Sequence, residues 1–178
     1  MNIELILQEK FDFLRKELQA KIHDRAAFYC GSDELDTYLR ERASQEARKQ
    51  ISTSFVLVED GDNSVIGYYS LSATSILLDD LPEKTAKKLP RYPDVPATLL
   101  GRLAVDMHHK GKGYGEVLLV DALRRSFQAA TDVASCAVVV DAKDDQACLF
   151  YEHYGFIKFP DHALRMFLPM QTIASLFV

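Results

Sequence analysis

The 178-residue sequence has few cysteines, no long apolar run and no excess of positive charge. Its three cysteines, Cys30, Cys136 and Cys148, are widely spaced and form no Cys-x-x-Cys pair. The sequence therefore predicts neither a zinc cluster nor a disulfide framework, and free thiols of this kind fit a reducing cytoplasm. No apolar run approaches the roughly 18 residues of a membrane-spanning helix, and the charged residues near the N-terminus argue against a signal peptide.

Charge and composition are those of an ordinary globular protein. Lys and Arg total 21 against 26 Asp and Glu, and the resulting net charge of −5 argues against a general nucleic-acid binder. Apolar residues make up 48% and charged residues 26%, which excludes a disordered or collagen-like chain. The length predicts a single domain over residues 1–178, with enough chain to bury a sizeable core.

The first half of the chain predicts a helix followed by a β-hairpin. The first 22 residues fit either a helix, from the spacing of Leu7, Phe11 and Leu14, or a strand, from the alternation around Asp12. The clearer elements are a helix from Asp33 to about Lys49 with Ser32 as its N-cap, strands at Ser54–Val58 and Val65–Leu78, and a turn at residues 61–64 between them.

The second half alternates strands with helices. Residues 79–96 hold four prolines and predict an irregular connection with a short helix from Pro82 through Lys88. The predicted elements after it are strands at Thr98–Val105, Cys136–Val140, Phe156–Phe159 and Leu164–Leu168, and helices at Tyr114–Ala130 and Asp144–Tyr154. Short connections between alternating strands and helices imply parallel pairing within a mixed sheet, so the predicted fold class is α/β.

A glycine-rich segment, residues 110–115, lies between a predicted strand and a predicted helix and reads Lys-Gly-Lys-Gly-Tyr-Gly. A helix start leaves backbone N–H groups unpaired, and glycines let the backbone approach an anion. The segment therefore predicts a pyrophosphate cradle, with a plain tight turn as the alternative. Its spacing fits neither a Walker loop nor a dinucleotide fingerprint.

The same segment matches [Arg/Gln]-x-x-Gly-x-[Gly/Ala], with Lys110 in the first position and Gly113 and Gly115 in the glycine positions. That pattern is the cofactor loop of the GNAT N-acetyltransferases. The preceding Leu103–Asp106 and the later Asp144–Phe156 also resemble segments of that family, in the same order and at similar spacing. Together, the three pieces make the sequence resemble a GNAT N-acetyltransferase.

Three further segments resemble one branch of the family, the GNAT toxins of bacterial toxin–antitoxin modules. They are Phe28–Gly31 with Leu35-Asp36, Gly67–Leu71 and Leu100–Asp106. The resemblance covers roughly residues 22–169 and favours a strand at residues 11–18. It implies the GNAT acyl-CoA N-acyltransferase fold, with a central mixed β-sheet flanked by helices.

The resemblance implies that acetyl-CoA is the co-substrate, that no metal takes part, and that the acetyl group passes directly from thioester to amine. The pyrophosphate is expected on the loop backbone and the pantetheine arm along the preceding strand. The implied cofactor-binding residues are Leu103, Ala104, Val105, Lys110, Gly111, Lys112, Gly113, Tyr114, Gly115 and Asp144. The implied catalytic residue is Tyr151, whose phenol would protonate the departing thiolate. Lys110 replaces the usual Arg or Gln, and Asp144 replaces a frequent Asn.

The acceptor implied by the toxin branch is the α-amino group of an aminoacyl-tRNA, and the implied partner is a small DNA-binding antitoxin. The sequence shows no obvious general base, which favours an α-amine, with a pKa of about 8, over a lysine side chain. Two alternatives stay open: an acetyltransferase for a small amine, polyamine or peptide amine, and a CoA-binding interaction module without turnover. We also expect a homodimer, whereas the apolar tail from Thr172 to Val178 would dock either on its own domain or on a partner.

Three other sets of residues receive weaker functional interpretations. Cys148 lies one turn before Tyr151 but is expected to be a small buried thiol rather than a nucleophile. Glu152 is expected on a helix surface and Asp106 at a strand end. Adjacent strand residues point to opposite faces, so one ring of the Tyr68-Tyr69 pair is expected in the core and the other towards an acceptor groove.

Overall fold

The computed structural model describes residues 13–19, 21–59 and 61–177. Within them, the first element is a strand, β1, at Phe13–Glu17. This confirms the strand interpretation for the described part of residues 11–18, while residues 1–12 lie outside the described range.

The other elements follow the predicted order, apart from a last helix after the final strand that was not predicted. The remaining strands are β2 (Thr53–Glu59), β3 (Val65–Leu77), β4 (Asp94–Val105), β5 (Ala137–Asp141), β6 (Ile157–Phe159) and β7 (His162–Pro169). The helices are α1 (Asp33–Thr37), α2 (Ala43–Arg48), α3 (Glu83–Ala86), α4 (Tyr114–Ala129), α5 (Asp145–His153) and α6 (Met170–Ala174). A π-helical turn at Tyr38–Arg42 joins α1 to α2, and 3-10 turns lie at Leu78–Asp80 and Met107–His109.

The strands of the described residues form one mixed sheet in the order β1-β2-β3-β4-β5-β7-β6. β1 pairs with β2, and β2 with β3, in antiparallel fashion, so the predicted hairpin around residues 61–64 is confirmed. β4 and β5 are parallel, with Thr98 opposite Val138 and Leu100 opposite Val140. β7 is antiparallel to both β5 and β6. The predicted α/β class with a mixed sheet is confirmed.

The chain forms two compact units, each with its own apolar cluster. The first unit holds the described residues up to Ser72 together with Gly101–Ala122, and the second holds Ala73–Leu100 and the chain from Leu123 onwards. The cluster of the first unit contains Phe28, Cys30, Tyr38, Leu39, Ala43, Val56, Val58, Val65, Tyr68 and Ala104. The cluster of the second contains Ile76, Leu81, Val95, Ala97, Ala137, Val139, Phe159 and Phe167.

The helix predicted from Asp33 to Lys49 differs from the observed one in two ways. It is interrupted by the π turn, in which the adjacent residues Tyr38 and Leu39 are both buried, at 1% and 0% exposure. The Ser32 side chain makes no capping hydrogen bond, and its carbonyl accepts the Asp36 N–H instead, at 3.0 Å. The prediction of a Ser32 side-chain cap was therefore wrong.

Strand β4 begins four residues before the predicted Thr98 and contains Pro96. Val95 and Ala97 are buried on alternate positions, as a strand requires, while Pro96 is exposed. Although proline has no N–H to donate, the Pro96 carbonyl still accepts the Cys136 N–H at 2.8 Å.

The C-terminal tail packs within the second unit. Ile173 is fully buried, and the Phe177 ring stacks on Phe127 with the ring centroids 6.3 Å apart. Of the two alternatives for the tail, these contacts favour docking on its own unit. None of the helices in the described part of the chain combines the length and apolar character that crossing a bilayer requires.

Candidate active site

The glycine-rich loop runs from the end of β4 to the start of α4, and the loop itself belongs to the first unit. Gly111 and Gly113 have φ values of +76° and +75°, a conformation that costs other residues free energy because their Cβ clashes with the backbone. α4 then begins at Tyr114 and runs for 16 residues, so its start presents backbone N–H groups and a positive dipole end. This arrangement suits a pyrophosphate.

Lys110 fastens the loop to a distant segment of the same unit. Its Nζ donates a hydrogen bond to the carbonyl oxygen of Cys30 at 2.9 Å. The Met107 N–H, from the 3-10 turn before the loop, donates to the carbonyl of Tyr29 at 2.8 Å. The Lys110 side chain therefore has a structural contact within this unit.

Asp106, the residue between β4 and the 3-10 turn, also connects the start of the loop to the segment that contains Tyr29. Its Oδ2 accepts the N–H of Tyr29 at 3.0 Å, and its Oδ1 accepts the N–H of His108 at 2.9 Å. Burial alone would raise the pKa of this carboxyl, but the hydrogen bonds from Tyr29 and His108 outweigh it and hold the pKa below its usual range. Asp106 is therefore a buried, ionised anchor rather than a general base.

The segment Phe28–Cys30 owes its position to these contacts and to two others. The Phe28 carbonyl accepts Arg40 Nη1 at 2.9 Å, and the Cys30 N–H donates to Asp36 Oδ1 at 2.9 Å. The Asp36 side chain belongs to α1 and is almost fully buried. In the sequence, the Phe28–Gly31 motif shows only a family resemblance, and its role in holding the loop was not predicted.

The strand residues before the loop are packed closely by β3 and by α4. A Cβ added at Gly67 would lie 3.0 Å from the Ala104 carbonyl oxygen and 2.8 Å from Leu118 Cδ1. Arg102 stacks over the Tyr38 ring, with Cζ 3.6 Å from the ring centroid. The backbone of Leu103–Val105 is thus held by close packing within the first unit.

The Tyr68-Tyr69 prediction was half wrong. The two rings contact different neighbours, as expected for adjacent strand residues: Tyr68 packs on Phe28, whereas Tyr69 stacks on Phe55. Both rings are fully buried, so neither faces an acceptor groove. The Tyr69 hydroxyl donates to Asp121 at 2.6 Å, which accounts for the burial of both polar groups.

Tyr151 lies on α5, in the second unit, and is 8% exposed. Its ring packs against Phe150 and Phe156, at centroid distances of 5.2 Å in each case. Burial raises the pKa of its phenol because the charged form loses hydration. The hydroxyl therefore stays protonated at neutral pH and can donate a proton or a hydrogen bond.

Asp144 is the N-cap of α5. Its Oδ1 accepts the Ala147 N–H at 2.8 Å, and its carboxylate complements the positive end of the helix. This capping contact explains why an acidic residue is tolerated at that position. It also means that one oxygen of the side chain already has a partner.

The other titratable groups near Tyr151 in the sequence do not form a nucleophile or a base. Cys148 is buried, its Sγ lies 3.9 Å from the Ala163 carbonyl, and burial raises the pKa of its thiol. Glu152 pairs with Lys158 at 2.7 Å. Among residues 13–19, 21–59 and 61–177, no group of three or more His, Cys, Asp or Glu side chains is placed to hold a metal ion.

Two curated relatives resemble this chain over most of its length. A probable toxin, TacT, of Sinorhizobium fredii is 34% identical over 161 residues, covering 86% of this chain and 89% of the relative. A tRNA-acetylating toxin of Mycobacterium tuberculosis is 37% identical over 153 residues, covering 86% of this chain and 90% of the relative.

Solved structures of toxins have the same fold. AtaT complexed with acetyl-methionyl-tRNA has a TM-score of 0.86 and 29% identity, covering 94% of this chain and all of that one. A mutant AtaT toxin bound to acetyl-CoA and to the C-terminus of the antitoxin AtaR has a TM-score of 0.80 and 25% identity, covering 94% and 99%.

A family model, that of the acetyltransferase (GNAT) family, matches residues 18–156. The matched range contains the glycine-rich loop with its anchors as well as the helix that carries Tyr151. The chain belongs to the GNAT acetyltransferase family.

Proposed function

We propose that this protein transfers the acetyl group of acetyl-CoA to the α-amino group of an aminoacyl-tRNA, as the toxin of a toxin–antitoxin module. The observation that carries the proposal is its likeness to a tRNA-acetylating toxin, 37% identical and covering 86% of this chain. A related toxin fold has been solved with acetyl-methionyl-tRNA. Such a substrate places the reaction in the cytoplasm.

The first unit supplies the cofactor site in this proposal. The pyrophosphate binds to the backbone of the loop, which consists of Lys110, Gly111, Lys112, Gly113, Tyr114 and Gly115. The pantetheine arm pairs with the strand residues Leu103, Ala104 and Val105. The positive φ values of Gly111 and Gly113 and the helix start at Tyr114 support this assignment. Asp144 contributes by fixing the first turn of α5, through its bond to the Ala147 N–H.

The reaction needs no acyl-enzyme. The neutral amine attacks the thioester carbonyl, forming the C–N bond, and the C–S bond then breaks. Tyr151 donates its proton to the departing sulfur, and the phenolate regains a proton as the amine nitrogen loses one to solvent. An α-amine with a pKa of about 8 is already about one-tenth neutral at pH 7, so a dedicated base is not required.

We expect radiolabelled acetyl-CoA to label a pool of aminoacylated tRNA and not the same pool after deacylation. The reason is that deacylation removes the amine and leaves the nucleic acid unchanged. A mixture of polyamines and peptides is the third acceptor. Label in the small amines with none in charged tRNA would replace the proposed acceptor by a metabolic or peptide amine. Acetyl-CoA binding without any transfer would leave a binding module.

Gly113→Ala is expected to raise the Kd for acetyl-CoA about tenfold. Alanine at a φ of +75° costs about 1–2 kcal/mol, and the loop relieves that cost by moving its N–H groups away from the pyrophosphate. Isothermal titration with acetyl-CoA measures the effect. Gly61→Ala is the control, because Gly61 has a φ of +81° but lies in the β2–β3 turn. An unchanged Kd in Gly113→Ala would remove the loop from the cofactor site.

The partners in this proposal are an antitoxin and a second copy of the chain. The antitoxin is inferred from the related toxin structure that contains the C-terminus of AtaR. The homodimer stays a prediction, and a monomeric mass by light scattering at micromolar concentration would contradict it.

That residues 1–178 form one domain also stays a prediction. A single domain of this size is expected to unfold in one cooperative transition, which thermal or urea unfolding would test.

A further inference from the structure

Asp106 accepts hydrogen bonds from both sides of the glycine-loop entrance. Its Oδ2 holds the Tyr29 N–H at 3.0 Å, while its Oδ1 holds the His108 N–H at 2.9 Å and lies 3.0 Å from His108 Nδ1. His109 Nδ1 lies 3.5 Å from the same Oδ1. The residue itself is only 6% exposed. A carboxylate that is shielded from solvent and accepts hydrogen bonds from several donors holds those donors firmly in place.

Two further hydrogen bonds connect the chain after Asp106 to Tyr29 and Cys30. The Met107 N–H bonds to the Tyr29 carbonyl at 2.8 Å, and Lys110 Nζ bonds to the Cys30 carbonyl at 2.9 Å. Residues 106–110 are therefore held against Tyr29 and Cys30 at three points. These two residues do not move freely either, because the Asp36 carboxylate holds the Cys30 N–H at 2.9 Å.

We infer that Asp106, assisted by Lys110, is a positioning residue for acetyl-CoA, which fixes the glycine loop in its binding conformation without touching the cofactor. The inference rests on the proposed function, in which the loop backbone binds the pyrophosphate. A loop held in one conformation before binding loses less conformational entropy when the cofactor arrives. The contacts of Asp106 and Lys110 should therefore strengthen cofactor binding without changing the chemical step.

The carboxylate is needed in its ionised form. Asparagine has nearly the same shape, but its amide group would place a second donor against either the Tyr29 N–H or the His108 N–H. One of the two partly buried donors would then lose its acceptor, and both hydrogen bonds would lose the added strength that a charged acceptor gives. Asp106→Asn thus removes the function of the anchor with little change in volume.

The test compares Asp106→Asn, Lys110→Met and the double variant by isothermal titration with acetyl-CoA and by steady-state kinetics. We expect Asp106→Asn to raise the Kd and the KM for acetyl-CoA about tenfold, with kcat at saturating acetyl-CoA within about twofold of the wild type, and we expect Lys110→Met, a change in the binding loop itself, to raise the Kd by a similar factor. Because both residues hold the same segment, the double variant should lose less than the product of the two single effects.

Asp62→Asn is the matched control. Asp62 also accepts the N–H of the residue two positions on, Ser64, at 2.9 Å, and its replacement changes the charge by the same amount. Asp62 lies in the turn at residues 61–64, so the Kd of the Asp62→Asn variant for acetyl-CoA should stay at the wild-type value. An equal loss in the control would mean that net charge, and not the anchor, sets cofactor affinity.

The outcomes separate this inference from the proposed function. An unchanged Kd in both Asp106→Asn and Lys110→Met, or a fall in kcat with the Kd unchanged, overturns the positioning role. If Asp106→Asn does not fold, Lys110→Met decides by comparison with Lys112→Met, which removes an equal charge from the same loop but leaves the bond between Lys110 and the Cys30 carbonyl in place; equal losses in the two variants overturn the positioning role. Wild-type protein that binds acetyl-CoA but does not label charged tRNA refutes the acceptor and leaves the Kd comparison valid. Wild-type protein that does not bind acetyl-CoA refutes both.

Discussion

Replacing Tyr151 with phenylalanine is expected to lower kcat about 100- to 1,000-fold while leaving the Kd for acetyl-CoA within about twofold of the wild type. The ring is packed between Phe150 and Phe156, so phenylalanine fills the same space and the helix should fold as before. What is lost is the single proton donor available to the departing thiolate in the proposed mechanism. The effect should therefore appear in the chemical step and not in cofactor binding.

The pH dependence provides a second readout of the same role. Burial raises the phenol pKa above its ordinary value of about 10, so the hydroxyl remains protonated through the physiological range. The Tyr151 hydroxyl is protonated at pH values below the raised pKa and ionises only as the pH rises through that pKa. We therefore expect kcat to rise as the acceptor amine deprotonates, to level off above its pKa, and not to fall again below pH 10.

The measurement is single-turnover transfer of labelled acetyl to aminoacyl-tRNA, with acetyl-CoA affinity determined separately. Tyr154→Phe is the matched control, because Tyr154 follows the same helix and its ring contacts the same Phe150 at 5.1 Å. The control should keep kcat within about twofold. A loss of less than about threefold in Tyr151→Phe, or an equal loss in Tyr154→Phe, would contradict general-acid catalysis by Tyr151.

The sequence was sufficient for the parts of the site that depend on local pattern. A continuous run of apolar, mostly β-branched residues predicted β5, and the glycines between a strand and a helix predicted the loop, because both signals lie within a few neighbouring residues. Tyr151 was found in a different way. Nothing in its local pattern separates it from a packed aromatic residue, and only the resemblance to a family motif singled it out.

The anchors of the loop could not be predicted in this way. Asp106 meets Tyr29 across 77 positions of the chain, and Lys110 meets Cys30 across 80. In both contacts one partner is a backbone group, which every residue possesses, so the partner's side chain carries no signal. The expectation for Tyr68 and Tyr69 was wrong in part for a related reason: the strand period gives opposite faces, but burial depends on what the fold packs onto each face.

Gly67→Ala is expected to lower the free energy of unfolding by about 2 kcal/mol, although Gly67 lies in a strand and has no positive φ. Its added Cβ would lie 2.8 Å from Leu118 Cδ1 and 3.0 Å from the Ala104 carbonyl oxygen. Leu118 is fully buried and Ala104 belongs to β4, so neither neighbour can move away without disturbing the packing of the first unit. Urea unfolding followed by circular dichroism measures the change.

A double-mutant cycle identifies the cause of that loss. Leu118→Ala alone leaves a cavity in a fully buried position and is expected to cost about 2–5 kcal/mol. In Gly67→Ala/Leu118→Ala the new methyl group enters the space that the leucine vacated, so the double variant should lose about 1 kcal/mol less than the sum of the two single losses. Additive losses would show that the clash with Leu118 is not responsible. The other close contact of the added Cβ is with the Ala104 carbonyl oxygen, which belongs to β4. If the double variant still binds acetyl-CoA more weakly than the wild type, the remaining strain lies in the β4 backbone, where the pantetheine arm is proposed to pair.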